Sequence, residues 1–229
     1  MDLAEKIPDG IYYIVLADLV GSTKFGAEMG NDALTARIQT FVAASKDAMK
    51  NARMSSNSGR FIKSAGDGVL FVFSHFPDVV QWAMEFDGTL DLAQIRQEPL
   101  RARLCVHAGE VRFEAGETTA LAVNQVFKME KKVDAGELVL TDIAHKLALP
   151  SVYPKQCEFE EKGTIRLDGY ARPVKLHRLI VKADVAFLRD KALRSREVAN
   201  TPTPEASINQ LKAEIAEVRK MASGGARWQ

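Results

Sequence analysis

A chain of 229 residues, of which 46% are hydrophobic, is long enough to bury one sizeable core. The 31 Lys and Arg residues against 30 Asp and Glu leave a net charge of +1, which gives no case for the basic field of a nucleic-acid-binding protein. The two cysteines make no disulfide framework, and no apolar run reaches the ~20 residues that span a bilayer. We therefore expect a cytoplasmic protein with no nucleic-acid or membrane partner.

Short apolar runs alternate with amphipathic segments in the first part of the chain. Runs rich in β-branched and aromatic residues predict strands, and apolar residues spaced by three and four predict helices. The predicted elements are a strand over 11–17, a helix over about 31–52, a strand pair over 59–74 and a helix over 77–94. Ser22 or Thr23 is expected to cap the first helix, and Gly66-Asp67-Gly68 is expected to form the turn of the strand pair.

The alternation of strands and helices continues to residue 181. The predicted elements are a strand pair over 100–116 that turns near Gly109, a helix over 120–133, a strand over 137–142 with a short helix to about 148, and strands around 164–168 and 173–181. Strands that alternate with helices and hairpins indicate an α/β fold, here an α+β sandwich with a mixed sheet. We expect one domain over 1–181.

The composition changes after residue 181. "FLRDKALRSREV" predicts a charged helix and "ANTPTPEAS" a linker broken by proline. Apolar residues at spacings of three and four then predict one helix with an apolar seam, formed by Ile208, Leu211, Ile215, Val218 and Ala222. We expect a C-terminal helical extension over 182–229, whose last helix docks on its own domain or reinforces a dimer.

Two aspartates stand at special positions of the predicted sheet. Asp18 ends the first strand, and Asp67 lies at the tip of the next hairpin, so the two carboxylates meet at one sheet edge if the strands are neighbours. Paired carboxylates beside a helix N-terminus suit Mg²⁺ or Mn²⁺ bridging a triphosphate, with amides of the following turn holding phosphate oxygens. The alternative is that Asp18 caps a helix and Asp67 makes an ordinary turn.

Four motifs in sequence order carry a family resemblance: "LADLVGST", "GRFIKSAGDGVLFVF", "LRARLCVHAGEV" and "LAVNQVFKMEKKVDAGELVLT". On these motifs, the chain resembles the catalytic domain of class III nucleotidyl cyclases, the adenylate and guanylate cyclases, over roughly 10–180. The resemblance implies a ferredoxin-like βααββαβ core with a mostly antiparallel sheet. It also implies two Mg²⁺ or Mn²⁺ ions, a nucleoside triphosphate substrate, a 3′,5′-cyclic nucleotide and pyrophosphate as products, and a head-to-tail homodimer with the active site between protomers.

The resemblance assigns roles to individual residues. Asp18 and Asp67 match the metal-binding aspartates, with the backbone carbonyl of Leu19 as a further ligand. The phosphate-facing turn comprises Val20, Gly21, Ser22 and Thr23. Asn124 matches the asparagine that orients the ribose, and Lys128 stands one helical turn later, at the position of the transition-state arginine.

Two positions depart from the family pattern. Lys128 keeps the positive charge of the arginine but lacks the planar fork that grips two phosphate oxygens. Asp168 stands where many relatives have a lysine that acts on the terminal phosphates. These departures imply catalysis at reduced efficiency, or a domain that binds nucleotide and has lost turnover.

The positions that read the base hold Lys63 and Glu117, with Thr118 adjacent. Adenylate cyclases of the family pair a lysine with aspartate or threonine, and guanylate cyclases pair a glutamate with cysteine or a small residue, so this chain matches neither set. Glutamate would crowd a purine, and the chain resembles the pyrimidine-specific cyclases of bacterial anti-phage (Pycsar) systems, which make cyclic CMP or cyclic UMP. We expect UTP or CTP as substrate; the alternative is ATP. Arg60 and Arg53 either contact the base or are solvated surface charges.

The histidines give a weaker signal. His75, His145 and His177 are scattered in the sequence and make no metal motif. His107 lies in an apolar strand, where we expect it to make a structural hydrogen bond rather than to act in catalysis.

Overall fold

The computed structural model describes residues 8–52, 54, 59–95, 98–114, 117–119, 121–151 and 157–181. The helices are α1 (Ser22–Met29), α2 (Asn31–Asn51), α3 (Phe76–Leu92), α4 (Leu121–Met129) and α5 (Asp142–Ala148), with single 3₁₀ turns at Glu130–Lys132 and Leu149–Ser151. The strands are β1 (Gly10–Leu19), β2 (Gly59–Ala65), β3 (Gly68–Phe73), β4 (Gln94–Ile95), β5 (Glu98–Pro99), β6 (Ala102–Glu114), β7 (Glu117–Thr119), β8 (Leu138–Thr141), β9 (Cys157–Ile165) and β10 (Val174–Val181).

The main sheet of the described part has seven strands in the order β2-β3-β1-β6-β8-β10-β9, and the short β7 pairs with β6. β6 and β8 run parallel, and the other neighbouring pairs run antiparallel. β4 and β5 pair with each other apart from this sheet. The succession of β1, α1, α2, β2, β3, α3 and β6 is the expected βααββαβ core, so the predicted α/β fold with a mixed, mostly antiparallel sheet is confirmed.

Side chains that alternate along β1 supply two hydrophobic layers. Val15, Ala17 and Leu19 pack with α2, α3 and α5 on one side, which we call the three-helix face. Ile14 and Leu16 pack with α4 on the other side, which we call the α4 face. The position of a residue along a strand therefore tells which helices it meets.

The aromatic residues of β3 and α3 form the centre of the three-helix face. Phe71, Phe73 and Trp82 are fully buried, with the ring centroids of Phe71 and Trp82 4.8 Å apart. The indole Nε1 of Trp82 donates to the carbonyl of Ser45 on α2 at 3.1 Å, so its polar atom is paired although buried.

Gly109 does not make the predicted turn. β6 runs without interruption from Ala102 to Glu114, and all ten residues of β1 pair with it. A Cβ added at Gly109 would lie 2.7 Å from the Cβ of Ala122 on α4. The glycine is therefore required by the close approach of a helix to the strand, which the sequence pattern did not distinguish from a turn.

The prediction that Ser22 or Thr23 caps the first helix is also wrong. The segment forms two helices, and glycines hold both N-cap positions: Gly21 with φ 78° before α1 and Gly30 with φ 86° before α2. Glycine adopts these positive φ angles without the steric cost that a side chain would carry. Ser22 is instead the first residue of α1.

The last strands differ from their predicted bounds. β9 begins at Cys157, well before the predicted strand at 164–168, and ends at Ile165, whereas β10 lies close to its prediction. The polar, charged sequence of β9 hides a strand, because β9 is the edge strand of the sheet in the described part of the chain and edge strands often carry charged side chains.

The predicted C-terminal extension over 182–229 lies outside the described residues, so its helices and the domain boundary at 181 stay predictions. Among the described helices, none combines the length and apolar character needed to cross a membrane.

Candidate functional site

The carboxylates of Asp18 and Asp67 belong to adjoining segments at one end of the sheet. Asp18 pairs with Gly68 across the β1–β3 ladder, and the N–H of Leu19 donates to the carbonyl of Asp67 at 3.2 Å. Asp67 lies in a two-residue turn with Gly66, whose φ of 63° suits glycine. The chain thus brings both aspartates to the same end of neighbouring strands.

α1 begins beside Asp67. The hydroxyl of Ser22 donates to Oδ2 of Asp67, and the N–H of Phe25 closes the first turn of α1 onto the carbonyl of Gly21 at 2.9 Å. The first amides of an α-helix have no acceptor within the helix and carry the positive end of its dipole. This helix end, next to a carboxylate, is suited to bind an anion together with a cation.

The remaining residues of the predicted phosphate-facing turn differ in their surroundings. The N–H of Val20 donates to the carbonyl of Arg101 at 2.9 Å, so this amide is already paired within the protein. Thr23 of the turn is exposed, whereas the side chain of Leu19, the predicted carbonyl ligand just before the turn, is buried in the three-helix face.

Arg103 is a member of this site that sequence reasoning missed. Its Nε donates to Oδ2 of Asp18 at 2.8 Å, and its Nη2 lies 3.0 Å from Oε1 of Glu130. The β1–β6 register places Arg103 directly opposite Asp18. A sequence pattern that predicts a turn at Gly109 does not show this pairing, because it divides β6 into two strands.

The surroundings of Asp18 disfavour its negative charge. Burial raises the pKa of Asp18 to about 6, the hydrogen bond from Arg103 opposes this rise, and the nearby charges of Glu130 and Asp67 add to it. A cation bound between the carboxylates would relieve that repulsion. Because carboxylates are hard oxygen ligands, the residues present fit Mg²⁺ or Mn²⁺.

α4 presents Asn124 and Lys128 on its exposed side, one turn apart. The Nζ of Lys128 donates to the backbone carbonyl of Asp168 and lies 5.3 Å from the ring centroid of Tyr170. The hydroxyl of Tyr170 donates to the carbonyl of Leu121 at 2.9 Å, which ties this loop to the start of α4. Lys128 is therefore held by the segment that contains Asp168 and Tyr170.

The predicted base-reading residues of β2 lie on the α4 face. Lys63 pairs with Leu70 and Arg60 pairs with Val72, and both partners belong to that face. A register shift between Phe61 and Lys63 marks a bulge at this point of the strand. Lys63 is exposed and Arg60 is half-buried.

The other base-reading positions are described only in part. Glu117 and Thr118 belong to β7, paired with Glu114 and Phe113 of β6, but their side chains lie outside the described part of the structure. Arg53 lies outside the described residues altogether.

Asp18, Lys63, Arg60 and α4 thus share one face of the sheet. Asp18 follows Ile14 and Leu16 in the alternation of β1, and both of those residues pack against the α4 layer. Among the predicted site residues described on this face, the structure brings Asp18 next to Asp67.

His107 has the structural role that the sequence predicted. It is buried, and its Nδ1 lies 2.8 Å from Oγ1 of Thr141, which also accepts the N–H of Ala144 at 3.3 Å. Burial lowers the pKa of His107 to about 4, so the ring is neutral at pH 7.

No family model and no curated protein matches the sequence, but solved structures match its fold. The adenylyl cyclase CyaB from P. aeruginosa superposes with a TM-score of 0.59 at 19% identity, over 77% of this chain and 98% of that one. The adenylate/guanylate cyclase/hydrolase from Silicibacter pomeroyi gives 0.60 at 21% identity, over 76% and 98%. The guanylate cyclase domain of RhGC from Catenaria anguillulae, solved in complex with GTP, gives 0.64 at 12% identity, over 77% and 100%. The chain therefore has the fold of the class III adenylyl and guanylyl cyclase catalytic domains.

Proposed function

We propose that this chain is a nucleotide cyclase, which converts a nucleoside triphosphate to a 3′,5′-cyclic monophosphate and pyrophosphate. The observation that carries the proposal is the pair of carboxylates, Asp18 and Asp67, at one end of neighbouring strands beside the N-terminus of α1. On a cyclase fold, that pair lies where a divalent cation and a triphosphate can be bound together.

The proposed metal site uses Asp18, Asp67 and the carbonyl of Leu19 to hold two Mg²⁺ or Mn²⁺ ions. When bound, such ions lower the pKa of the ribose 3′-hydroxyl and neutralise the charge of the departing pyrophosphate. The buried, crowded carboxylate of Asp18 supports this assignment, since its pKa is raised by burial and by like charges that a cation would offset.

The chain's own groups position the reacting atoms. The first-turn amides of α1 bind phosphate oxygens, Asn124 orients the ribose, and Lys128 places positive charge at the α-phosphate. The 3′-oxygen forms a bond to the α-phosphorus, the bond from that phosphorus to the oxygen bridging the β-phosphate breaks, and the hydroxyl proton passes to solvent. Arg103, which lies next to Asp18, would add a further positive charge near the phosphates.

The proposed enzyme is a homodimer in which one protomer supplies the aspartates and the other supplies Asn124, Lys128 and the base-reading residues. The outward side of α4 supports this arrangement. Leu121, at the start of α4, is 75% exposed although it is a large apolar residue. A partner docked across the α4 face would cover Leu121 and complete the site.

For the base, we propose UTP or CTP, read by Lys63, Glu117 and Thr118 with Arg60 nearby, and an anti-phage signalling role for the product. The support is the sequence pair Lys63 and Glu117, which matches neither purine set. ATP remains the alternative, because a lysine donor with a carboxylate acceptor also complements adenine.

A second candidate function is nucleotide binding without turnover. The contact of Lys128 with the Asp168 carbonyl and the Tyr170 ring favours it, because a tethered amine is less free to reach a substrate phosphate.

One experiment separates these functions. The protein is incubated with each of ATP, GTP, CTP and UTP plus Mn²⁺, and cyclic product and pyrophosphate are measured together with nucleotide binding. We expect cyclic UMP or cyclic CMP. Product from ATP alone would remove the pyrimidine assignment, and binding without product from any nucleotide would support the second candidate.

A matched pair of variants tests the metal assignment. D67A should abolish turnover, whereas D32A, which removes an exposed aspartate from the first turn of α2, should leave it unchanged. Turnover in a folded D67A protein would contradict the assignment.

A further inference from the structure

Two of the chain's four histidines meet on the three-helix face. His145 on α5 and His177 on β10 stack with ring centroids 3.9 Å apart and 19° between the ring planes. His177 pairs with Leu140, whose side chain belongs to the three-helix face. The two imidazoles, far apart in sequence, are thus brought together by the packing of α5 on β10.

Asp142 completes a cluster of metal-binding groups. It precedes His145 by three residues on α5, so both side chains lie on one side of that helix. Its Oδ1 lies 3.4 Å from Nε2 of His177. One ligand atom from each of Asp142, His145 and His177 lies within 4.8 Å of the other two.

The separations are close to those of a metal site. Ligand atoms bound to one Zn²⁺ at about 2.0–2.2 Å lie roughly 3–3.5 Å apart in a tetrahedral arrangement. The contact between Asp142 and His177 already has that length. The ligand atoms lie at most 4.8 Å apart, which is about 1.5 Å more than in a zinc site. Asp142 and His145 are only half-buried, so rotation of their side chains can close that difference.

The chemistry of the cluster suits a transition-metal cation. One carboxylate and two imidazole rings offer the oxygen and nitrogen ligands that such ions bind in proteins.

Lys146 opposes the binding of a cation at this cluster. Its Nζ lies 2.7 Å from Oδ2 of Asp142, which leaves Oδ1 towards His177. The side chain of Lys146 is 70% exposed and can move into solvent. Lys146 therefore weakens binding without blocking it.

We propose that Asp142, His145 and His177 bind a transition-metal ion of the Zn²⁺ class, which links α5 to β10. Two imidazole nitrogens and one carboxylate favour Zn²⁺ or Ni²⁺ over Mg²⁺, and three protein ligands leave a position for water. The site lies on the three-helix face, whereas Asp18 lies on the α4 face, and the two sites differ in ligand chemistry.

The test is a calorimetric titration of the EDTA-stripped full chain with ZnCl₂, together with thermal unfolding at each zinc concentration. We expect one Zn²⁺ that raises the melting temperature and that millimolar Mg²⁺ does not displace. Binding should persist in D18N/D67N, which removes the carboxylates on the other side of the sheet. H145Q and H177Q should each weaken it by at least about tenfold.

Two further variants sharpen the result. H75Q changes an exposed histidine that precedes α3 and should leave zinc affinity unchanged, whereas K146M should increase it by removing the competing ammonium group. His145 is half-buried, so H145Q gives a folded protein even if the buried H177Q does not, and circular dichroism checks both.

Wild-type zinc affinity in a folded H145Q protein would overturn the proposal. Loss of zinc binding in D18N/D67N alone would overturn it as well. Substitution with Co²⁺ adds a spectroscopic readout, because a sulfur-to-cobalt charge-transfer band would assign the metal to Cys105 or Cys157 instead.

Discussion

Arg103 and Asp18 face each other across the β1–β6 ladder, and a 2.8 Å hydrogen bond from Nε to Oδ2 joins them. The same guanidinium reaches Glu130 at 3.0 Å, so one cation lies between two carboxylates. In the proposed enzyme, Asp18 would hold a divalent ion, which would supply positive charge beside this carboxylate in addition to Arg103. The contact therefore joins a buried ion pair of the fold to a carboxylate of the proposed metal site.

Replacing Asp18 with asparagine should stabilise the metal-free protein while it removes a proposed metal ligand. Because the folded-state pKa of about 6 exceeds the ordinary value of 3.8, ionised Asp18 costs stability above pH 6, and the cost disappears as the pH falls below the ordinary value. We expect D18N to raise the free energy of unfolding at pH 7 by about 1–2 kcal/mol.

Thermal unfolding in EDTA at pH 7 and at pH 4 measures this effect. The advantage of D18N over wild type should shrink at the lower pH, and D32N, at an exposed position of α2, should show no advantage at either. A D18N protein that melts below wild type at pH 7 would show that the Arg103 contact outweighs the burial of Asp18.

Replacing Arg103 with alanine should destabilise the fold strongly. The change leaves Asp18 and Glu130 close together without their shared cation, and we expect a loss of about 2–4 kcal/mol in urea unfolding. The exposed pair of Arg112 and Glu110 provides the control, because R112A should cost less than about 1 kcal/mol.

A double variant isolates the coupling between the two residues. R103A should cost less in a D18N background than in wild type, since the buried charge that Arg103 compensates is then absent. Equal costs in the two backgrounds would show that Arg103 acts through contacts other than the one with Asp18.

Replacing Lys128 with alanine should reduce turnover without unfolding the protein. Lys128 is exposed on α4, so the melting temperature should change little, whereas loss of a transition-state cation should lower kcat by about 10²–10³. K128R should equal or exceed wild type, because the guanidinium grips two phosphate oxygens. K131A, on the following 3₁₀ turn, is the control. Unchanged kcat in K128A would remove Lys128 from the mechanism.

His107 should make stability depend on pH. Its folded-state pKa of about 4 lies below the ordinary 6.5, so the unfolded chain binds the proton first. Its contribution is fully present above pH 6.5 and is lost as the pH falls towards 4. Urea unfolding at pH 7, 5.5 and 4.5 should show a smaller loss for H107Q than for wild type. An H107Q protein that follows wild type would contradict the assignment.

The sequence was most informative where local pattern and topology coincide. Asp18 ends an apolar run and Asp67 lies in a Gly-Asp-Gly turn, so their proximity required only that β1 and β3 be neighbours, which they are. The order of elements in the βααββαβ core followed in the same way from alternating strand and helix patterns.

The residues that were missed depend on contacts between distant segments. Arg103 meets Asp18 only through the register of β1 with β6, and the single glycine at 109 was read as a turn because a turn and a close helix contact both require the absence of a side chain. His145 and His177 appeared unrelated because their contact depends on where α5 packs against β10.

The contact of Gly109 with Ala122 fixes the distance between α4 and the sheet. A methyl group at position 109 would push the helix outward, and Asn124 and Lys128 would move with it. G109A should therefore lower turnover although position 109 carries no reactive atom, and A122G should restore it in the double variant by reopening the space. Such a rescue would identify a spacer: a residue whose contribution to catalysis is the volume it leaves empty.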